Sequence, residues 1–188
     1  MAITIHHTAG AANANSYISL TEANELIEGL VADDDVIAWE AGSTSDDYRN
    51  RALYSAAQRI DRERFLGARA TDTQALQWPR TGVRKPDTYI NNYNLGFPFT
   101  ITEDYFTDTE IPDQVKKAQA VLAAYLNNNK DALDLTGLES YSTLNVGNIS
   151  ITPYRFGAVG FNAVPPMFER YFRGIRISGP SNIAVKRS

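Results

Sequence analysis

The chain has 188 residues, no cysteine and a net charge of −4. The absence of cysteine excludes disulfides, thiolate metal sites and a cysteine nucleophile, and a chain of this length can bury about 70% of its unfolded surface without such cross-links. Both histidines, His6 and His7, lie beside the amino terminus, which disfavours a catalytic triad or a histidine-rich metal site. We therefore expect no enzyme activity, no metal and no cofactor.

The amino terminus has no basic segment followed by an apolar segment, so it does not match a signal peptide. No apolar run approaches the ~18 residues of a membrane span. The expectation is a protein that is made and used without crossing a membrane.

Charge is unevenly distributed along the chain. From Ile151 to the carboxyl terminus there are six positive residues and one acid, a net charge of +5, which leaves −9 for the rest. An acidic body with a basic end predicts that the end contacts nucleic acid, an acidic protein surface or a neighbouring copy. A solvated, disordered tail is the alternative.

The first predicted helix starts at a capping box formed by Ser19 and Glu22 and runs to about Leu30. Residues 33–35 are three consecutive aspartates whose spacing fits no calcium loop, which favours a capping or solvated turn. After this turn, an apolar group is predicted to return to the core: Val36, Ile37 and Trp39.

The second predicted helix runs from about Asp46 to Leu66 and has an apolar stripe at helical spacing. Its other face carries arginines that could bind phosphate, but admixed acids favour solvation and local ion pairs. These arginines are Arg49, Arg51, Arg59, Arg62 and Arg64.

Residues 74–83, QALQWPRTGV, combine an apolar turn, a Trp-Pro step, an arginine and a glycine turn. Pro79 lacks a backbone donor and disfavours the helical conformation at the residue before it. Trp78 is therefore predicted to be a buried anchor at the end of a short helix, from which Arg80 leaves on a fixed path. The pattern favours a structural corner and has no catalytic feature.

Residues 84–110 form a long predicted loop that is rich in aromatic residues. From Pro86 to Glu110 there are five acids and no lysine or arginine. Stacking on nucleic-acid bases requires accompanying cations, so a packed or subunit-facing loop is the preferred interpretation.

A further helix is predicted to start at Pro112 and end at residues 127–129, and to pack on the Asp46–Leu66 helix. Residues 144–151 predict a β-hairpin. Residues 166–173 predict a short helix stopped by Gly174, and the chain beyond it reads as an arm that could add a strand to a partner sheet.

These elements predict a mainly α fold: a small helical bundle with a β-hairpin, a long aromatic loop and an extended C-terminal arm. Residues 1–152 are expected to form the helical core with the hairpin. Residues 153–188 are expected to supply a C-terminal helix and arm for docking.

Three segments resemble one phage family: residues 15–23 (NSYISLTEA), 74–83 (QALQWPRTGV) and 111–119 (IPDQVKKAQ). The chain is similar to the head-tail adaptor proteins of tailed bacteriophages, also called connectors or head-completion proteins. Many relatives are labelled DnaT-like single-stranded-DNA-binding proteins. The resemblance covers about residues 13–126.

The resemblance implies a structural virion protein, made in the host cytoplasm and located at the head-tail junction. Such a protein forms a ring homo-oligomer, commonly a dodecamer, beneath the portal protein. The ring presents a surface to a tail or nozzle protein, and double-stranded DNA passes through its channel without specific binding.

The implied portal contacts fall on the C-terminal segment of this chain, while residues 78–80 supply the structural motif Trp78, Pro79 and Arg80. The implied contact residues are Phe168, Arg170, Tyr171, Phe172, Arg173, Arg176, Lys186 and Arg187. The alternative function is that of a single-stranded-DNA-binding, DnaT-like protein, to which the arginines and aromatic residues would contribute.

Overall fold

The computed structural model describes residues 3–86, 104–129, 144–146, 149–151 and 166–177. Within them lie four α-helices: α1 (Leu20–Glu28), α2 (Asp34–Glu40), α3 (Asp46–Ile60) and α4 (Asp113–Asn128). Two antiparallel strand pairs join β1 (Ala68–Arg69) to β2 (Arg80–Thr81) and β3 (Leu144–Val146) to β4 (Ile149–Ile151). A 3₁₀ helix covers Pro166–Phe172. The predicted mainly α class with a small hairpin is confirmed.

Local side-chain caps start the first two helices. The hydroxyl of Ser19 accepts the backbone N–H of Glu22 at 3.1 Å, as the predicted capping box requires. Asp33 accepts the N–H groups two and three residues further on and so caps α2, a helix that the sequence analysis did not identify. Ile37 is 57% exposed on α2, so its predicted place in the core is wrong.

The helix α3 ends at Ile60, six residues before its predicted end. Asp61 follows as the C-cap, and its carboxylate accepts the hydroxyl of Tyr17 and the backbone N–H of Gln77. These contacts turn the chain away from the helix axis. Arg59 is only 8% exposed, so it does not belong to the exposed arginine face that the sequence predicted.

The helix α4 packs along α3, as predicted, and a buried glutamine joins them. The side-chain amide of Gln119 donates to the backbone carbonyl of Leu53 at 3.0 Å and to the hydroxyl of Ser16 at 2.7 Å. Its carbonyl oxygen accepts the backbone N–H of Tyr17 at 2.9 Å. One side chain thus connects α4, α3 and the segment before α1.

The 3₁₀ helix is part of the same core. Phe168 and Phe172 are 2% and 1% exposed, and their rings meet Tyr125 and Phe65 edge-on at centroid distances of 5.9 and 5.7 Å. The rings predicted to anchor a partner therefore pack inside the chain itself, because this short helix needs an apolar face to bury. Through these rings the described residues 166–177 pack against the helical core.

Two further predictions fall largely outside the described residues. Of the aromatic loop predicted at residues 84–110, the structure describes 84–86 and 104–110. Of the predicted C-terminal arm, it describes the chain as far as Ile177, so Lys186 and Arg187 lie outside it.

Candidate nucleic-acid and partner interface

The guanidinium of Arg80 is enclosed by backbone carbonyls. Its Nε donates to the carbonyl of Leu66 and its Nη2 to that of Gly67, both at 2.7 Å, while Nη1 donates to Gln77 Oε1 at 2.8 Å. Burial lowers the pKa of Arg80 from its usual value, yet an arginine remains charged at any physiological pH. The donors of the Arg80 guanidinium are occupied by hydrogen bonds within the chain, so this group is not available to a ligand.

The Trp-Pro step is buried beside this arginine. Trp78 is 1% exposed and its ring meets Phe65 and Phe106 edge-on at 5.6 and 5.7 Å. The Trp78–Pro79 peptide bond is cis. The chain before it is a series of bends, so the predicted short helix ending at Trp78 is wrong. Gln74 closes the turn by donating to the carbonyl of Pro79 at 3.0 Å. Residues 74–80 form a structural corner.

A short antiparallel contact joins the end of α3 to the C-terminal segment. Phe65 forms a β-bridge with Arg176. The N–H of Leu66 donates to the carbonyl of Ile175 at 2.9 Å, and the N–H of Ile177 donates to that of Arg64 at 2.7 Å. The contact brings residues 64–66 beside residues 175–177, two segments more than a hundred positions apart in sequence.

This contact gathers four arginines from the two segments. We call Arg62, Arg64, Arg173 and Arg176 the arginine cluster. The first three are exposed, and Arg176 pairs with the carboxylate of Glu63 at 3.3 Å. Two residues of the implied portal contacts, Arg173 and Arg176, thus lie in or beside the segment that pairs with the chain following Arg62 and Arg64, two arginines for which the sequence favoured solvation and local ion pairs.

Arg170 and Tyr171, two further residues of the implied portal contacts, lie together but outside the arginine cluster. The guanidinium of Arg170 stands 5.4 Å from the ring centroid of Tyr171. Tyr171 lines a shallow apolar groove of about 280 Å³ with residues of α1 and α4, among them Leu26 and Val121. Only Arg170 and Tyr171 of the predicted aromatic and charged anchors remain available on this side of the chain.

Residues 84–86 approach Gly174, the residue after Arg173, and they are bridged to the aromatic residue Tyr105. A Cβ atom added at Gly174 would lie 3.5 Å from the ring of Pro86, so residues 84–86 run next to the cluster. Arg84 forms a β-bridge with Tyr105, whose side chain is 43% exposed. Arg84, which is bridged to the exposed Tyr105, therefore lies two residues from the Pro86 ring that Gly174 approaches.

Negative charge is concentrated on the first two helices. Residues 1–48 contain nine carboxylates and no lysine or arginine. Four of these carboxylates are exposed on α1 and α2 and form what we call the acidic surface: Glu25, Glu28, Asp34 and Glu40. The indole N–H of Trp39 donates to Asn24 Oδ1 at 2.9 Å and holds the two helices together.

The helix α3 separates the acidic surface from the arginine cluster. Near its start, the Nε of Arg49 donates to the carbonyl of Trp39 in α2 at 3.0 Å, whereas the arginine cluster begins just after its last residue. With 15 residues, α3 is about 22 Å long. The sequence analysis predicted an acidic body and a basic end and named Arg62 and Arg64, but it did not predict their contact with the C-terminal segment, because the two stretches are far apart in sequence.

The described residues contain no group of three or more histidine, aspartate or glutamate side chains that could hold a metal ion. Within the same ranges, none of the helices combines the length and the apolar character needed to cross a membrane.

A family model described as "Putative DnaT-like ssDNA binding protein" matches residues 1–187. The chain belongs to this family. The match favours the DNA-binding alternative over the adaptor role. No curated protein and no solved structure matches the chain.

Proposed function

We propose that this chain binds single-stranded DNA through the arginine cluster. Membership of the DnaT-like family supports this function. The observation that carries it is the contact of residues 64–66 with residues 175–177, in or beside which Arg62, Arg64 and Arg173 are exposed and without an ion pair in the described part of the chain. Guanidinium groups bind phosphate oxygens in a bidentate geometry that lysine cannot reproduce.

Tyr105 supports the same proposal by adding a stacking surface. Proteins that bind single strands combine cations that follow the backbone with aromatic rings that stack on bases. The contact of Gly174 with Pro86 brings the segment bridged to Tyr105 next to the arginine cluster. A strand whose phosphates lie along the arginines can then place a base on this ring.

The test is a fluorescence-anisotropy titration of a labelled oligothymidine at a series of salt concentrations. Three phosphate contacts on a single strand give a slope of log K against log salt of about −2. The variant R62Q/R64Q/R173Q is expected to weaken binding at least tenfold and to flatten the slope.

A matched control removes the same three charges elsewhere. R51Q/K117Q/R170Q neutralises exposed cations outside the arginine cluster and is expected to retain most of the affinity. Equal losses in both triple variants would show that binding follows net charge and not the arginine cluster. Absence of binding by the unmodified chain at low salt would contradict the proposal as a whole.

A second candidate function is that of a head-tail adaptor in a tailed bacteriophage. It is supported by the resemblance of residues 15–23, 74–83 and 111–119, and by the opposite charges at the two ends of α3. A ring of identical subunits needs two different, complementary faces on each subunit. In this role the chain is a virion protein that forms a ring beneath the portal, joins head to tail and extends the DNA channel without catalysis.

Experiments with purified virions and with portal protein distinguish the two candidate functions. An adaptor is expected to be present in virions at the head-tail junction and to form a ring by electron microscopy when portal is added. R170Q/Y171A should weaken that docking, because Arg170 is exposed and Tyr171 lines the surface groove. A chain that is absent from virions and does not bind portal is not an adaptor.

A further inference from the structure

We infer that the apolar groove between α1 and α4 is a docking site for an amphipathic helix of another protein. The apolar stripe of that helix is bordered by basic residues on one side and by acidic residues on the other. The described residues that line the groove do not include a member of the arginine cluster. The inference therefore does not require the proposed DNA binding.

The lining of the groove is apolar and accessible. Leu26 in α1 and Leu30 just after it face Ala120 and Val121 of α4 across a cavity of about 280 Å³, and Leu30 is 39% exposed. Gly29 places no side chain in the groove. A Cβ atom added to it would meet only two backbone carbonyl oxygens of α1, at 3.8 and 3.9 Å. A row of apolar side chains from a partner can therefore enter between the two helices.

The two sides of the groove carry opposite charges. Glu25 precedes Gly29 by one helical turn and so stands on the α1 side. On the other side, Lys117 lines the groove on α4, and the guanidinium of Arg170 stands 5.4 Å from the ring centroid of Tyr171, which also lines it. Glu25, Lys117 and Arg170 are exposed, and none of the ion pairs between described residues uses them. These charges are available to a partner.

An amphipathic helix matches both the apolar lining and the charges. Such a helix presents an apolar stripe with charged residues along its borders, and it binds in an apolar groove through side chains spaced three and four residues apart. Basic residues on one border would face Glu25, and acidic residues on the other would face Lys117 and Arg170. The opposite direction of the helix would bring like charges together, so the charges fix its direction. A nucleic acid fits less well, because its phosphates would meet the carboxylate of Glu25.

The groove is already formed before a partner binds. Lys116 Nζ pairs with Glu22 Oε1 at 3.0 Å and joins α4 to the start of α1. Ala23 and Ile27 of α1 are fully buried in the core, which fixes the helix on its other face. A partner therefore does not have to order this part of the chain, and a preorganised site lowers the cost of binding.

The experiment is an NMR titration of the full 15N-labelled chain with three synthetic amphipathic helices of equal length and with the same leucine stripe. The mixed peptide has lysine on one border of the stripe and glutamate on the other. The second peptide has lysine on both borders and the third has glutamate on both. The mixed peptide is expected to bind about tenfold more tightly than the other two and to shift the amide signals of Gly29, Lys117 and Tyr171.

A side chain added at Gly29 tests the groove without changing its charge. The backbone of Gly29 has the helical angles φ −77° and ψ 0°, so Gly29→Gln is expected to fold normally and to fill the space between α1 and α4. It should weaken binding of the mixed peptide about tenfold. Gly42→Gln is the matched control, because a Cβ atom added at Gly42 has nothing within 4 Å and lies outside the groove. Both variants must retain the circular dichroism of the unmodified chain.

Charge reversal tests the two sides of the groove separately. E25K makes both sides basic and is expected to prefer the glutamate peptide, whereas K117E/R170E makes both sides acidic and should prefer the lysine peptide. E40K is the control for E25K, since Glu40 is an exposed acid of α2 outside the groove. It should keep the preference for the mixed peptide.

The other outcomes contradict the inference or separate it from the proposed function. Equal binding of the three peptides, no binding of any, or binding that Gly29→Gln leaves unchanged overturns it. Self-association that Gly29→Gln abolishes would assign the groove to a second copy, and Gly29 signals that move when residues 178–188 are deleted would assign it to the chain's own end. Either result overturns the assigned partner. A chain that binds the mixed peptide selectively but no oligothymidine supports the inference and contradicts the proposed function alone.

Discussion

The hydroxyl of Tyr17 donates a hydrogen bond to the carboxylate of Asp61, 44 positions away in the sequence. The same carboxylate accepts the backbone N–H of Gln77 at 3.1 Å. Asp61 therefore joins the segment before α1, the end of α3 and the structural corner. Burial is the main cause that raises the pKa of Asp61, and its hydrogen bonds oppose that shift. Burial also raises the pKa of Tyr17 well above its usual value.

The raised pKa of Asp61 predicts how stability depends on pH. A carboxyl group whose pKa is higher in the folded than in the unfolded state favours folding while it is protonated. Its contribution is fully present below the unfolded value of about 4 and is lost as the pH rises through the folded value. Asp61→Asn keeps an oxygen acceptor and removes the charge. Urea unfolding between about pH 4 and 6 should show a smaller loss of stability in this variant than in the unmodified chain.

The exposed Asp72 provides the comparison for this measurement. Asp72→Asn should leave the pH profile of the unmodified chain in place, since the side chain of Asp72 is exposed. If the profile of Asp61→Asn were as steep as that of Asp72→Asn, the assignment of the titration to Asp61 would fail.

Arg80 is expected to be irreplaceable by lysine. Its planar fork reaches three carbonyl oxygens at once, and a single ammonium group would leave at least one of them buried without a donor. Each buried polar group left unpaired costs about 1–3 kcal/mol. Arg80→Lys should therefore lower the free energy of unfolding by about 2 kcal/mol or more, whereas Arg62→Lys on the surface should change it by less than about 0.5 kcal/mol. Chemical denaturation of the two variants measures both changes in the free energy of unfolding.

Gln119 is expected to behave as a buried connector. Gln119→Leu has a similar size but cannot pair with the backbone of Leu53 or Tyr17. Leaving these groups unpaired should lower the free energy of unfolding by about 2–4 kcal/mol. Gln58 points to solvent on α3, and Gln58→Leu should cost little. Similar unfolding midpoints for the two variants would refute the role of Gln119.

The C-terminal segment should divide into a structural part and a dispensable part. Phe172 is in the core, and Phe172→Ala should lower the free energy of unfolding by about 3–5 kcal/mol. Removal of residues 178–188 takes away none of the described core contacts and should leave thermal unfolding unchanged. A deletion that starts at Gly174 also removes Ile175, which is fully buried, so it should destabilise the chain. Scanning calorimetry of the three variants tests this division.

Local patterns were sufficient for the starts of α1 and α4 and for the hairpin. Ser19 identified the start of α1 because a helix cap is a contact between near neighbours in sequence. Pro112 likewise marked the start of α4. The end of α3 was misplaced because Asp61 is held by Tyr17 and Gln77, and no pattern within the helix reports contacts with distant segments.

The sequence by itself determined the helical class, the imbalance of charge and the absence of cysteine chemistry, because these depend on composition and on spacing within a few residues. Only the tertiary structure decided which individual side chains are buried and which neighbours they contact. It buried Phe168 and Phe172, which the sequence analysis had expected to contact a partner, and it paired Phe65 with Arg176. The physical reason is that burial and charge clustering come from contacts between distant segments, and these form only when the whole chain has packed.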